Sequence, residues 1–142
     1  MFTTQISVFV ENRVGGLEEV IGLLAANGID ISALSLADTT DFGILRMIVS
    51  DPAKAVQVLK EHGMAVKLTD VLAIAIQDQP GGLAAVLQYL KEDGISIEYM
   101  YAFIGKSNGA LAVVRTCEPE KAVKTLQKKH VTVLEAQEVY RL

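Results

Sequence analysis

Two glycine turns hold the residues of this sequence whose types and spacing could do chemistry. The first turn reads Asn12-Arg13-Val14-Gly15-Gly16-Leu17, and the second reads Asp78-Gln79-Pro80-Gly81-Gly82-Leu83. Each glycine pair precedes a run with helical spacing, so backbone N–H groups without an internal partner stand at a helix start. The helix N-terminus carries partial positive charge, and glycine lets a ligand approach the backbone closely. Such a turn suits a bound carboxylate better than it suits catalysis.

The residues that open the two turns extend this chemistry. Asn12 can accept from an ammonium group and donate to a carboxylate, whereas Asp78 can only accept. A free amino acid carries both groups, so Asn12 fits its whole head group and Asp78 favours the ammonium. The alternative, which the spacing leaves open, is that the glycines serve only tight packing between a strand and a helix.

Each turn joins an alternating strand to a helix with an apolar stripe. In the first half the patterns predict strands at 6–10, 29–36, 44–50 and 66–68, and helices at 17–24 and from Pro52 to Gly63. The second half repeats this order, with strands at 71–76, 95–104, 110–116 and 131–134 and helices beginning at Leu83 and Pro119. Polar turns are predicted at 37–43 and 105–109.

The repeated order predicts an α+β fold of two ferredoxin-like βαββαβ units, residues 1–69 and 70–142. No linker rich in Gly, Ser or Pro lies near Thr69-Asp70. We therefore predict that the units stand side by side and form one eight-stranded antiparallel sheet with the helices on one face, which would remove two exposed edges.

The sheet face opposite the helices is predicted to be unusually apolar. Four alanines of the second half are predicted to lie opposite its large apolar residues: Ala73, Ala75, Ala110 and Ala112. A solvated face is normally more polar, so the pattern predicts a covering second copy, that is, a homodimer. A mildly apolar open face is the alternative.

The composition bounds the partners. The chain has 142 residues, of which 51% are hydrophobic and 21% are charged, and its net charge is −4. No basic stripe supports nucleic-acid binding, and no long apolar run supports a membrane span or a signal peptide. A single cysteine fits a reducing compartment. We predict a cytoplasmic protein with neither a nucleic-acid nor a membrane partner.

The remaining reactive side chains do not form a catalytic or metal-binding pattern. His62 and His130 are predicted at equivalent helix ends, where a cation favours the helix dipole. Cys117 has no nearby His or Cys and is predicted to be a small apolar filler. Four lysines are predicted to form a solvated helix face: Lys121, Lys124, Lys128 and Lys129. We predict no catalytic residue, no metal and no cofactor, and the sequence supplies no acid–base pair for a small enzyme.

The two halves resemble tandem ACT domains. Each has the motif N/D-x-(V/P)-G-G-L, followed after a helix by Gly28-Ile29-Asp30-Ile31 or Gly94-Ile95-Ser96-Ile97. The resemblance implies binding of a small molecule, usually an amino acid, at the junction between two ACT units. It implies contacts from one turn and from the start of the second strand of the neighbouring unit. One site would use Asn12, Val14, Gly15, Gly16 and Leu17 with Ser96 and Ile97, and the other Asp78, Gly81, Gly82 and Leu83 with Asp30 and Ile31.

The resemblance also implies a non-enzymatic role. ACT units usually accompany an enzyme domain, and the sequence leaves no residues for one. It therefore implies a regulatory protein that signals to a partner enzyme of amino-acid metabolism. The alternative is a constitutive regulatory or interaction subunit that binds no ligand, because Ser7-Val8-Phe9-Val10-Glu11-Asn12 is also similar to the small regulatory subunits of acetolactate synthase.

Overall fold

A computed structural model describes residues 2–38, 41–104 and 109–141. The turns predicted at 37–43 and 105–109 therefore lie partly outside the described residues. The chain divides into two compact units. We call Thr4–Thr69 the N-terminal unit, and Asp70–Tyr140 with Phe2 and Thr3 the C-terminal unit.

The N-terminal unit consists of three paired strands, two helices and the beginning of a fourth strand. Strand β3 pairs antiparallel with both β1 and β2, which gives the order β2-β3-β1. The elements are β1 (Thr3–Glu11), α1 (Gly16–Ala26), β2 (Ile31–Asp38), β3 (Phe42–Val49), α2 (Pro52–Glu61) and β4 (Val66–Ile76), whose later part belongs to the C-terminal unit.

The C-terminal unit repeats this arrangement and ends in a short extra helix. Strand β6 pairs antiparallel with both β4 and β5, which gives the order β4-β6-β5. The elements after β4 are α3 (Gly82–Glu92), β5 (Ile97–Ile104), β6 (Ala110–Thr116), α4 (Pro119–Lys128) and α5 (Ala136–Tyr140). In the described ranges, no helix has both the length and the hydrophobicity that crossing a bilayer requires.

Each unit has its own hydrophobic core between the sheet and two helices. In the N-terminal unit, Ile6 and Val8 of β1 pack with Leu24 of α1 and Leu59 of α2, and all four are fully buried. In the C-terminal unit the core contains Leu72, Ile74, Val86, Leu90, Ala122 and Leu126. Side chains on a strand alternate between faces, and the sheet residues of each core come from one face of it.

The predicted single eight-stranded sheet is not observed, because the described residues form six strands. The predicted strands 66–68 and 71–76 are one continuous strand, β4. Neither Gly nor Pro stands near Thr69-Asp70 to interrupt it. The predicted strand at 131–134 is reduced to a single antiparallel bridge between Val133 and Ile74, because the chain turns into α5 soon afterwards.

The predicted face of Ala110 and Ala112 is wrong. Ala112 pairs with Ile74 and lies in the helix-side core, and Ala110 pairs with Ile76. Directly paired residues of antiparallel strands share a face, so both alanines face the helices.

Ala73 does lie on the opposite face, paired with Val113, and both side chains are fully buried within the single chain. At these positions the face needs no second copy to cover it. The homodimer stays a prediction.

Candidate functional site

The glycines of both turns have a backbone reason to be glycines. Gly15 and Gly81 immediately precede α1 and α3 with φ angles of 83° and 87°, in the left-handed region that favours glycine. A Cβ atom on Gly16 would lie 2.8 Å from the carbonyl oxygen of Glu11, and one on Gly82 would lie still closer to that of Gln77. Tight packing therefore explains the glycines, so the glycines alone do not indicate a ligand.

The main chain occupies half of the helix-start amides. The N–H groups of Gly16 and Glu19 donate to the carbonyls of Arg13 and Gly15 at 3.1 and 3.0 Å. No side chain caps α1. In the part of the chain that the structure describes, the amides of Leu17 and Glu18 have no acceptor.

The second turn repeats this pattern. The amides of Gly82 and Ala85 donate to the carbonyls of Gln79 and Gly81, both at 3.0 Å. No side chain caps α3, and the amides of Leu83 and Ala84 lack an acceptor among the described residues. Each turn therefore has two helix-start amides without an acceptor among the described residues.

The structure brings together Asn12 and Leu17 of the predicted first site. They line a cleft of about 230 Å³ with Leu36 and Asp38 at the end of β2. The Asn12 N–H donates to the carbonyl of Asp41 at 3.1 Å. Val14 is fully exposed and, like Gly15, is not among the residues that line this cleft.

The residues predicted at the start of the second strands are held by their own units. The Asp30 N–H donates to Ser50 Oγ at 3.0 Å, and Asp30 Oδ1 accepts from the Ile31 N–H at 3.0 Å. Ile31 packs against the N-terminal core and Ile97 against the C-terminal core, whereas Ser96 is exposed. None of these four residues lines the clefts at the turns.

A larger cleft, of about 500 Å³, opens beside Asp78 and Gly82. We call it the C-terminal cleft. Ala85 and Tyr89 of α3 form one wall, and Lys129, His130 and Thr132 after α4 form another. Lys129 Nζ lies 5.4 Å from the centre of the Tyr89 ring, in cation–π range. Gly81 and Leu83, which were predicted in this site, are not among the lining residues.

Sequence reasoning missed Tyr89, Lys129 and His130 as site residues. Lys129 was predicted on a solvated helix face, but it is the C-cap residue of α4, as His62 is of α2. The prediction that His62 and His130 occupy equivalent positions is therefore wrong, because the residue equivalent to His62 is Lys129. His130 has a φ of 58° and corresponds to Gly63, whose φ is 77°. A histidine where the repeat has a left-handed glycine was the available signal.

The N-terminal unit has a smaller counterpart of this cleft, of about 310 Å³, which we call the N-terminal cleft. Its lining includes Gly16, His62 and the side chains of Glu11, Arg13 and Glu19. An Arg13 guanidinium nitrogen lies 2.5 Å from Glu19, and Arg13 Nε lies 3.4 Å from Glu11. The hydrogen bond and charge of Glu19, aided by Glu11, raise the pKa of Arg13. The charges beside this cleft are therefore paired within the protein.

Cys117 is exposed, so its predicted role as an apolar filler is wrong. Its thiol donates to Glu98 Oε1 at 2.6 Å. This hydrogen bond and the charge of Glu98 raise the pKa of the Cys117 thiol, which disfavours the nucleophilic thiolate. Within the described ranges, no group of three or more His, Cys, Asp or Glu side chains could hold a metal ion.

Comparisons with solved structures show the fold across the whole chain. A protein from Bacteroides thetaiotaomicron is 45% identical, with a TM-score of 0.95 over 100% of this chain and 98% of that one. The ligand-free regulatory subunit of aspartate kinase from Thermus thermophilus is 17% identical, with a TM-score of 0.64 over 88% of this chain and 90% of that one. Aspartate kinase from Synechocystis is 20% identical, with a TM-score of 0.60 over 95% of this chain and 28% of that one.

A search of curated protein sequences gives no match. The family model described as "ACT domain pair" matches residues 1–142, the full length of the sequence. This match agrees with the two glycine turns and with the two βαββ-α arrangements on which they lie. The chain therefore belongs to the ACT domain pair family.

Proposed function

We propose that this protein is a non-enzymatic regulatory protein that binds a small ligand, an amino acid, and signals to a partner enzyme or pathway of amino-acid metabolism. ACT domain pairs are regulatory domains. The observation that carries the proposal is a cleft at each uncapped glycine turn, with Asn12 at one and Asp78 at the other.

The chemistry of each turn matches one part of an amino-acid head group. Two helix-start amides without an acceptor can donate to the ligand carboxylate, as helix N-termini do to anions. The side-chain oxygen of Asn12 or Asp78 can accept from the ligand ammonium. We propose that Ser96 and Ile97, and Asp30 and Ile31, contact the ligand from a neighbouring ACT unit, as the resemblance implies.

Regulation requires that the ligand bind two states of the protein with different affinity. We propose that ligand binding changes how two ACT units, residues 1–69 and 70–142, are held, and that a partner reads this change. We further propose that the regulator acts in the cytoplasm as a homodimer.

Binding is tested with each of the twenty L-amino acids at millimolar concentration, by thermal shift and then by isothermal titration calorimetry. A ligand at 100 times its Kd stabilises the folded state by about 2.7 kcal/mol, which raises Tm. If no amino acid changes Tm or releases binding heat, the proposal is wrong. An enzyme that co-purifies with the protein to the same extent with and without amino acid would instead indicate a constitutive interaction subunit.

The turns are tested with substitutions that their backbone tolerates. Gly15→Asn and Gly81→Asn add a side chain at each turn without breaking it, because Asn adopts the left-handed region in which both glycines lie. Each should weaken amino-acid binding if the ligand approaches the backbone at that turn. Asp78→Asn should weaken amino-acid binding because the ligand ammonium loses a charged acceptor. Asp70→Asn, another exposed aspartate of the same unit, is the matched control and should leave affinity unchanged.

A further inference from the structure

We propose that the C-terminal cleft is the principal amino-acid subsite, in which Asp78 binds the ligand ammonium and Lys129 the ligand carboxylate. Lys129 takes this role in place of the helix-start amides, because Leu83 and Ala84, which carry those amides, do not line the cleft.

The N-terminal cleft offers such a ligand no unpaired charge from Arg13, which is paired with Glu11 and Glu19. The cleft beside Asn12 has a volume of only about 230 Å³. This inference rests on the proposed function and assigns it to one unit, with one ligand bound per chain.

Corresponding positions of the two clefts differ in charge. Three residues beside the N-terminal cleft have counterparts 66 positions later in the sequence. Glu11, Arg13 and Glu19 correspond to Gln77, Gln79 and Ala85. Arg13 is ion-paired with both glutamates of its unit. Gln79 Nε2 instead donates to Gln77 Oε1 at 2.9 Å, and Ala85 has no polar side chain. The C-terminal cleft therefore lacks an internal ion pair at this place, and Ala85 leaves room where Glu19 fills it.

Two opposite charges of the C-terminal cleft are left without a charged partner. Among the described residues, neither Lys129 nor Asp78 takes part in a salt bridge, and Lys129 Nζ contacts the Tyr89 ring. Because Lys129 and Asp78 line one cleft without pairing with each other, a ligand that carries both charges can satisfy both. A zwitterionic α-amino acid is such a ligand.

The rest of the cleft suits a small organic molecule. Its volume of about 500 Å³ lies within the roughly 300–1,000 Å³ that is usual for small-molecule sites. Ala75, Val86 and Val131 supply apolar surface for a ligand side chain. The Thr132 carbonyl is already bonded to the Ala75 N–H at 2.9 Å, so this wall is held in place by the main chain.

The test compares two ways of disabling the cleft with one matched control. Lys129→Gln removes the cation at nearly constant size. The double variant Gln79→Arg with Ala85→Glu introduces the ion pair of the N-terminal cleft. Lys124→Gln changes another exposed lysine, which lies within α4 and does not line the cleft. Affinity and stoichiometry for each of the twenty L-amino acids are measured by calorimetry, after circular dichroism and urea unfolding have shown that each variant is folded.

We expect one amino acid bound per wild-type chain. Affinity should fall at least about tenfold in Lys129→Gln, which loses a charge-assisted hydrogen bond. Binding should be lost in the double variant, and affinity should stay within about twofold of wild type in Lys124→Gln.

Two failures are distinguishable. If the wild-type protein binds no amino acid, the proposed function is wrong and this subsite with it. If an amino acid binds wild type and Lys129→Gln equally, the subsite is wrong and the proposed function stands. Should the double variant not fold, Lys129→Gln decides alone. Backbone NMR of the wild type gives a second decision, since ligand-induced shifts must include Gly82 and Lys129 rather than Asn12 and Leu17.

Discussion

The two glycine turns share a main chain and differ in their side chains. Gly15 and Gly81 have nearly the same φ, and three equivalent amide–carbonyl bonds form in each copy. Around this common backbone, the first copy has an ion-paired Arg13 and the second has Gln79 and Ala85. The comparison teaches that the repeated motif specifies how the turn folds, whereas residues outside its glycines decide whether the charges beside the adjoining cleft are paired with one another.

The C-terminal ends of α2 and α4 likewise share a backbone conformation and differ in their side chains. His62 and Lys129 occupy equivalent C-cap positions, and Gly63 and His130 follow them in the left-handed region. The C-terminal copy thus places two ionisable side chains where the N-terminal copy has a histidine and a glycine. His62 Nδ1 lies 2.9 Å from the Val58 carbonyl oxygen, so that histidine interacts with its own helix.

The largest expected effect comes from adding a methyl group to Gly16 or Gly82, where each turn brings a main-chain carbonyl close to the glycine. Gly82→Ala should lower the free energy of unfolding by about 3 kcal/mol, and Gly16→Ala by about 1–2 kcal/mol, because an added methyl group overpacks the surroundings of Gly82 more than those of Gly16. The Cβ added at Gly16 would lie 2.8 Å from the Glu11 carbonyl oxygen, and the Cβ added at Gly82 would lie closer still to the Gln77 carbonyl oxygen. Urea unfolding of both variants measures the difference.

Gly22→Ala is the control for this pair, since Gly22 lies inside α1 and its added Cβ would meet only the flexible Glu18 side chain. It should stabilise the protein by up to about 1 kcal/mol, the difference in helix propensity. Equal losses for Gly16→Ala and Gly82→Ala would show that the two turns are alike in packing.

A smaller effect is expected at the start of the second helix in each unit. Asp51 Oδ1 accepts from the Lys54 N–H at 3.1 Å. Glu118 is the corresponding residue of the second unit, and its side chain makes no cap bond. Asp51→Ala should therefore lower the free energy of unfolding by about 1 kcal/mol. Glu118→Ala should cost much less.

Urea unfolding again provides the measurement for these caps, and Asp51→Asn serves as the control because asparagine also caps helices well. A loss in Glu118→Ala as large as in Asp51→Ala would contradict the assignment of the cap to the N-terminal copy alone.

The smallest effect concerns Cys117, whose counterpart 67 positions earlier is Ser50. Glu98 raises the pKa of the thiol, so the thiolate fraction near pH 8 is low. Glu98→Gln removes the negative charge, lowers the pKa and should increase the rate of alkylation by iodoacetamide several-fold at pH 8. The rate measured from pH 7 to 10 should shift toward lower pH in this variant.

Glu120→Gln, on the exposed surface of α4, is the control for the thiol experiment and should react at the wild-type rate. An alkylation rate that Glu98→Gln leaves unchanged would show that the contact between Glu98 and Cys117 does not govern thiol reactivity.

Local patterns predicted most of the fold. Alternating residues such as Ile6 and Val8, and helical spacing such as Val20 and Leu24, identify core faces because burial follows the period of each element. The continuation of β4 through Thr69-Asp70 and the short α5 were not predicted. A strand continues wherever nothing breaks it, and a five-residue helix carries too little periodicity to identify.

The candidate site was less predictable than the fold. The motif identified Asn12, Asp78 and the glycines, which are local in sequence. Tyr89 reaches this cleft from α3, and Lys129 reaches it from the end of α4. No local pattern in the sequence connects residues that lie so far apart in the chain. Side-chain pairing, such as that of Arg13 with Glu19, likewise becomes visible only when the turn is folded.

The boundary between the units has a practical consequence for protein engineering. It falls inside β4, and Phe2, which precedes β1, packs against the core of the C-terminal unit. A gene cut between codons 69 and 70 would divide a hydrogen-bonded strand and deprive the C-terminal fragment of an apolar residue that its core uses. The two halves are similar, but we do not expect them to behave as interchangeable, separately expressible parts.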